Sequence, residues 1–162
     1  MINRMELLKL IKNNAKLCPK EIAVMLGSTE EDVQNELRAL SEEGIILGYT
    51  TQINWEKTER ESVIAMIEVK LSPMRNKGYD HIANLLCKYD KVSSCYLVSG
   101  DYDLMLIYED DNLREIASFI SEKIAPLEGV LSTKSHFILK KYKIDGIITY
   151  KNDNDDRQTV IL

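Results

Sequence analysis

Cysteine is scarce in this chain of 162 residues, and Cys18, Cys87 and Cys95 are odd in number and far apart. That spacing excludes a disulfide framework and a paired-cysteine metal motif, and the three read as packing residues. His81 and His136 are equally isolated, so neither belongs to a metal-spaced cluster. No apolar run approaches the roughly 18–20 residues that cross a bilayer. Arg4, Glu6, Lys9 and Lys12 interrupt the first segment, which therefore does not read as a signal peptide. Together these absences point to the cytoplasm and away from membranes, with no metal, cofactor or catalytic constellation expected.

Positive charge is the other deficit. The formal net charge is −5, and in residues 1–50 six cations stand against eight carboxylates, a net of −2. Phosphate neutralisation supplies most non-specific affinity for DNA, so such a segment predicts weak background binding. The rest of the composition, 44% hydrophobic and 29% charged, is that of a globular protein. Half a chain of this length builds only a marginal core, so a domain contact or an oligomer is expected.

What is present falls into two patterns. Residues 1–50 read as three short helices. Leu7, Leu8 and Ile11 mark one apolar face; Pro19 opens a second helix with Ile22, Ala23 and Leu26 on its stripe. Gly27-Ser28 breaks it. Thr29 then caps a third helix carrying Val33, Leu37 and Leu40, with Asp32 as the acidic member of a capping box. Gly44 ends that helix, and residues 45–50 read as a strand leaving the bundle. Two short helices around a glycine-containing turn match a helix-turn-helix. On its exposed face Gln34 and Asn35 suit adenine and Arg38 suits guanine or phosphate, while Lys20, Tyr49, Thr50 and Thr51 are placed to meet phosphates.

Residues 51–61, including Trp55, lack periodicity and read as a linker. From residue 62 to 145 strands and helices alternate: a strand over 63–71, a loop over 73–78, a helix marked by Ile82, Leu85, Leu86 and Tyr89, and strands over 92–98 and 103–108. A helix marked by Leu113, Ile116, Ala117, Ile120 and Ile124 follows, then a last strand from 130 to about 141. The order βαββαβ is that of a ferredoxin-like fold, so the fold class expected is α+β, a winged helix-turn-helix followed by a ferredoxin-like domain. Residues 146–162 read as a C-terminal tail. Because 95–98 and 104–107 are apolar on both faces, the sheet side away from the helices needs a second cover, and a twin sheet in a homodimer supplies it.

Four stretches carry a family resemblance: the helices of 7–27, Leu40-Ser41-Glu42-Glu43-Gly44-Ile45-Ile46-Leu47-Gly48-Tyr49-Thr50, Ser99-Gly100-Asp101-Tyr102-Asp103-Leu104, and the closing strand. With these the chain resembles the Lrp/AsnC, or feast/famine, regulators from about residue 7 to 142. The resemblance implies transcription regulation through double-stranded DNA. It also implies a RAM domain that pairs into dimers and often octamers, and an amino-acid effector held between neighbouring C-terminal domains near the Gly100–Asp103 turn. Effector candidates are then Gly100, Asp101, Tyr102 and Asp103, with hydroxyls from Thr133 and Ser135. A plain hairpin turn explains Gly100 and Asp101 equally well. One departure stands out, since Glu36 falls where the family typically carries arginine. Two rivals share the architecture: a ligand-sensing or partner-binding protein with weakened or lost DNA binding, and an enzyme resembling the siroheme decarboxylases. The second would need a basic pocket, for which Lys134 and His136 are scattered candidates.

Overall fold

The computed structural model describes residues 2–72 and 78–150. The chain divides between Gln52 and Ile53 into two compact units.

The first unit contains α1 (Arg4–Asn13), α2 (Pro19–Leu26) and α3 (Glu30–Glu42). Leu7, Ile22, Ala23, Val33 and Leu40 form its core, with Leu8, Leu17, Leu26 and Leu37 packed around them. Local chemistry sets each helix end. The Asn3 carboxamide accepts from the Met5 and Glu6 N–H groups at 3.1 and 3.3 Å. Glu21 reaches back to the Cys18 N–H at 2.8 Å, with Pro19 filling the first helical position. Gly27 takes the left-handed conformation (φ 61°) that lets the Ser28 N–H bond back to Ala23. Thr29 Oγ1 then accepts from the Asp32 N–H at 3.2 Å, but the Asp32 carboxylate takes the Ser28 hydroxyl at 3.4 Å instead of completing a capping box.

The strand expected over 45–50 is not one. Ile45 and Ile46 both donate to the Leu40 carbonyl to close α3, and the residues beyond pair with no strand. Strand propensity alone does not hold an extended segment; it needs a neighbour's ladder, and the described residues of this unit supply none.

The second unit is built from β1 (Val63–Leu71), α4 (Tyr79–Leu86), β2 (Val92–Leu97), β3 (Leu104–Asp110), α5 (Leu113–Phe119) and β4 (Val130–Phe137). Its antiparallel sheet has the order β2-β3-β1-β4, which is the ferredoxin-like arrangement. One sheet face presents Ala65, Ile67, Val69, Leu104, Leu106 and Tyr108 to Ile82 and Leu86 of α4 and Ile116 and Phe119 of α5. The helix expected to run through Ile124 changes at Ile120 into a π turn, closed by the Ala125 N–H on the Ile120 carbonyl.

The opposite face is mixed, not uniformly apolar as expected. Register places Ile64, Met66, Met105, Ile107 and Tyr96 there, beside Glu68, Lys70, Glu109, Lys134 and His136. The polar members lie mainly towards β4, so the exposed apolar area concentrates on β2 and β3.

The last strand stops at Phe137, short of the expected end near 141. The chain instead folds β5 (Lys143–Ile144) against β6 (Ile147–Ile148) around Asp145 and Gly146, whose φ angles of 45° and 88° suit a tight hairpin turn. Part of the expected tail is therefore structured; 151–162 lie outside the described residues, as do 73–77 of the expected loop. Residues 53–60, expected as linker, pack with this unit. The Asn54 amide donates to the Thr149 carbonyl at 3.0 Å, and Glu56 accepts the Lys141 N–H at 3.3 Å. The Arg60 guanidinium lies 4.6 Å from the Trp55 ring centroid and pairs with Glu109. No helix among the described residues is long and apolar enough to cross a membrane.

Candidate DNA-reading and ligand-binding surfaces

In the first unit, α3 turns Val33, Leu37 and Leu40 inward and leaves Gln34, Asn35 and Arg38 exposed. Gln34 is steadied by Glu30 one turn earlier, at 3.1 Å. Arg38 makes no ion pair among the described residues, so its guanidinium is available to a partner. Lys20, Tyr49, Thr50 and Thr51 are exposed as well. Tyr49 and Thr50 border an open groove of about 470 Å³ whose floor includes Leu8, Ile11 and Ile46.

Sequence reasoning missed the partner of Glu36. Arg4, at the start of α1, puts Nε 2.5 Å from the Glu36 carboxylate and both terminal nitrogens 2.8 and 2.9 Å from Glu43. This fork raises the Arg4 pKa, chiefly through Glu43, and lowers that of Glu43. Glu36 is thus neutralised from within the domain. Glu31 and Glu42 remain on the outer face of α3.

In the second unit, Gly100 sits at φ 142°, where a side chain would be strained, and Asp101 is exposed on the turn. Asp103 does not bond the turn's own N–H groups. Its Oδ2 accepts the Leu71 N–H across the sheet at 2.7 Å and lies 3.7 Å from Lys70 Nζ. The carboxylate thereby closes the ladder that β1 and β3 leave unfinished, and its Oδ1 has no hydrogen bond among the described residues. Thr133 and Ser135 stand opposite Val69 and Ile67, half-buried on the helix-covered face, whereas Asp103 and Lys70 share the open face. The six effector candidates therefore do not form one cluster. Lys70 is the member that sequence reasoning overlooked; its alternation with Glu68 on an otherwise apolar strand was the available signal.

A separate cavity of about 150 Å³ lies between the unit's first and last segments, bordered by Trp55, Glu56, Arg60, Lys140, Lys141 and Ile144. Both walls read as linker or strand end in the sequence, so it was not anticipated. The Lys140 ammonium lies 3.7 Å from the Tyr150 ring centroid and 5.2 Å from that of Tyr142.

At the far end of the sheet Asp110 is buried. It accepts from Lys91 Nζ at 2.8 Å, Tyr108 OH at 3.1 Å and the Asp111 N–H at 2.7 Å. Burial works to raise its pKa, but the Lys91 ammonium and the hydrogen bonds outweigh it and hold the carboxyl below its ordinary range. Tyr108, stacked on Phe119, is pushed up to about 12 by burial. This cluster is fully satisfied and structural. Among the described residues no three metal-ligating side chains gather; His136 meets Glu68 at 3.5 Å. Cys18 and Cys87 are exposed, which corrects their reading as packing residues, whereas Cys95 is half-buried and packs against the core of the second unit.

An acidic helical unit with an exposed third helix, joined to a ferredoxin-like unit with a charged sheet edge, defines a class that comparison with known proteins identifies. Residues 64–148 match the family model of the Lrp/AsnC ligand binding domain. The chain is 36% identical over 157 residues to the HTH-type transcriptional regulator YugG of Bacillus subtilis, covering 96% of this chain and 94% of that one. It is 33% identical over 137 residues to the HTH-type transcriptional regulator LrpA of Pyrococcus horikoshii, covering 85% and 94%. In fold it resembles a transcriptional regulator of Neisseria meningitidis solved as a complex with L-Met, with a TM-score of 0.69, 20% identity and coverage of 87% and 90%. The chain belongs to the Lrp/AsnC family, whose named relatives here are HTH-type transcriptional regulators.

Proposed function

We propose that this protein is a cytoplasmic, sequence-specific transcriptional regulator that reads duplex DNA through α3 and senses an amino acid through its second unit. The observation that carries the DNA reading is the Arg4 fork. By pairing Glu36 and Glu43 with a cation, it offsets two carboxylates that would repel phosphate and leaves Gln34, Asn35 and Arg38 as the exposed reading set. A net charge of −2 on residues 1–50 then makes affinity depend on base contacts and on avidity between paired heads. The half-apolar open face of the sheet fits a homodimer that supplies such pairing, and higher assembly would multiply it.

For the ligand, Asp103 and Lys70 present a carboxylate and an ammonium side by side, complementary to the two charges of an amino acid. The fold neighbour holding L-Met supports that class of effector. To act, the ligand must bind one assembly or domain arrangement better than another.

Fluorescence anisotropy with DNA from upstream of the protein's own gene, at low salt, tests the first half. No binding at micromolar protein favours a sensor that has lost DNA, a reading that Glu31 and Glu42 on the outer face of α3 keep alive. A thermal-shift screen of the twenty amino acids tests the second, since a ligand at about 100 times its Kd adds roughly 2.7 kcal/mol. A flat response across all twenty refutes amino-acid sensing.

A further inference from the structure

The cavity of the second unit brings apolar and cationic side chains to one space. Ile64, Ile138 and Ile144 line it beside the Trp55 ring. Arg60, Lys140 and Lys141 border the same space, against the single carboxylate of Glu56. These charges are unevenly matched. Arg60 is offset by Glu109 at 3.0 Å, and Glu56 accepts the Lys141 N–H at 3.3 Å. Lys140 and Lys141 make no ion pair among the described residues. The Lys140 ammonium rests against the Tyr150 and Tyr142 rings, 3.7 and 5.2 Å from their centroids, an attraction that holds the cation without neutralising it. A fixed cation beside an apolar hollow is complementary to an anion with a greasy body: the charge finds a partner while the body leaves water. At about 150 Å³ the cavity has the size of one that holds a single benzene ring.

We propose that this cavity binds a small monocarboxylate whose apolar body is about one ring in size. Its carboxylate meets Lys140 and Lys141, and its body lies along Trp55 and the isoleucines. The site is distinct from the Asp103–Lys70 pair, neither member of which lines it. That pair offers one charge of each sign, as a zwitterion requires; the cavity offers an excess of positive charge and so suits an acid that lacks the ammonium group. Its walls come from residues 53–64 and 138–149. A bound acid would therefore bridge the first and last segments of the unit, reinforcing the contacts that Asn54 and Glu56 already make there.

Trp55 is the sole tryptophan of the chain, so the site carries its own reporter. The test titrates the full-length protein with benzoate at constant ionic strength and follows tryptophan emission. The expected response is a saturable change, half-complete at about 1 mM or less. Benzamide keeps the ring and loses the charge, and should need at least about tenfold more. Inorganic phosphate keeps the charge and loses the ring, and should give no saturable response. Combining Lys140→Met with Lys141→Met should raise the benzoate half-point at least about tenfold. Lys123→Met, an exposed position outside the cavity lining, should leave it unchanged. Should the double variant fold poorly, benzoate against benzamide on the unaltered protein decides the matter. Emission that changes only linearly with benzoate, benzamide or phosphate that matches it, or a folded double variant with an unchanged half-point overturns the proposal.

Discussion

The two units solve the problem of a small core in opposite ways. The first is held by short-range devices: caps within three residues of each helix start, a left-handed glycine, and a compact set of leucine, isoleucine and valine side chains. Its long-range polar link is the Arg4 fork onto α3. The second unit is held by pairings between distant segments, with β1 hydrogen-bonded on one side to β3 and on the other to β4. It also buries a charged cluster at the end of its sheet. A unit of local contacts tolerates the loss of one contact; a unit built around a central strand has a single point on which the rest depends.

The sharpest way to break that contrast is Ile67→Ala. Ile67 is fully buried at the centre of β1, and its truncation should destabilise the second unit by about 2–5 kcal/mol. Calorimetry should show the transition of that unit falling while that of the first unit stays in place; a joint shift would mean that the two units unfold as one. Next in size is Asp110→Ala, which leaves the buried Tyr108 hydroxyl without its partner and should cost roughly 1–3 kcal/mol.

The same cluster gives the second unit a pH signature at both ends of the scale. The Asp110 carboxyl is held low when folded, so the unfolded chain takes up the proton first. Stability is therefore full above the ordinary aspartate range and begins to drain away only once pH falls below about 4. At the alkaline end Tyr108 behaves in the mirror sense: the unfolded tyrosine ionises near 10 while the folded one holds its proton to about 12, so stability declines across that interval. Denaturant melts of the wild type and of Asp110→Asn across pH 3–7 measure the acid effect, which the variant should lose.

Arg38→Ala probes function in the first unit. It should weaken DNA binding about five- to a hundredfold, roughly 1–3 kcal/mol, with the fold intact by circular dichroism. The smallest expected effect is that of Arg4→Ala. Releasing Glu36 and Glu43 should lower DNA affinity a few-fold at low salt, and the difference should shrink as salt screens the freed carboxylates. An unchanged affinity would show that Glu36 is already clear of the DNA path.

Much of the helical unit was legible because its determinants lie next to one another in the chain: Pro19, Gly27 and Thr29 mark boundaries that a reader finds without knowing any tertiary contact. The βαββαβ order was legible for a similar reason, since alternation in β1 and the stripes of α4 and α5 are local patterns. What escaped depends on partners remote in sequence. Residues 45–50 have strand-forming side chains but no ladder, and nothing local reveals a missing neighbour. Glu36 looked hostile to DNA until Arg4 was placed against it. Asp103 was expected to meet a ligand, and its carboxylate also serves the Leu71 N–H on a strand remote in the chain. Thr133 and Ser135 were paired correctly on one face, but which face depends on a register that only the sheet sets.

The lacing of Asn54 and Glu56 onto Thr149 and Lys141 has one further consequence. It fastens the segment that begins the second unit to the hairpin that follows its last strand, so this half of the protein is a buckled belt and not a sheet with two loose ends. A chain cut after Phe137 would keep all four strands yet lose the buckle, and Trp55 and Arg60 would be left as the free end of an unfastened strap.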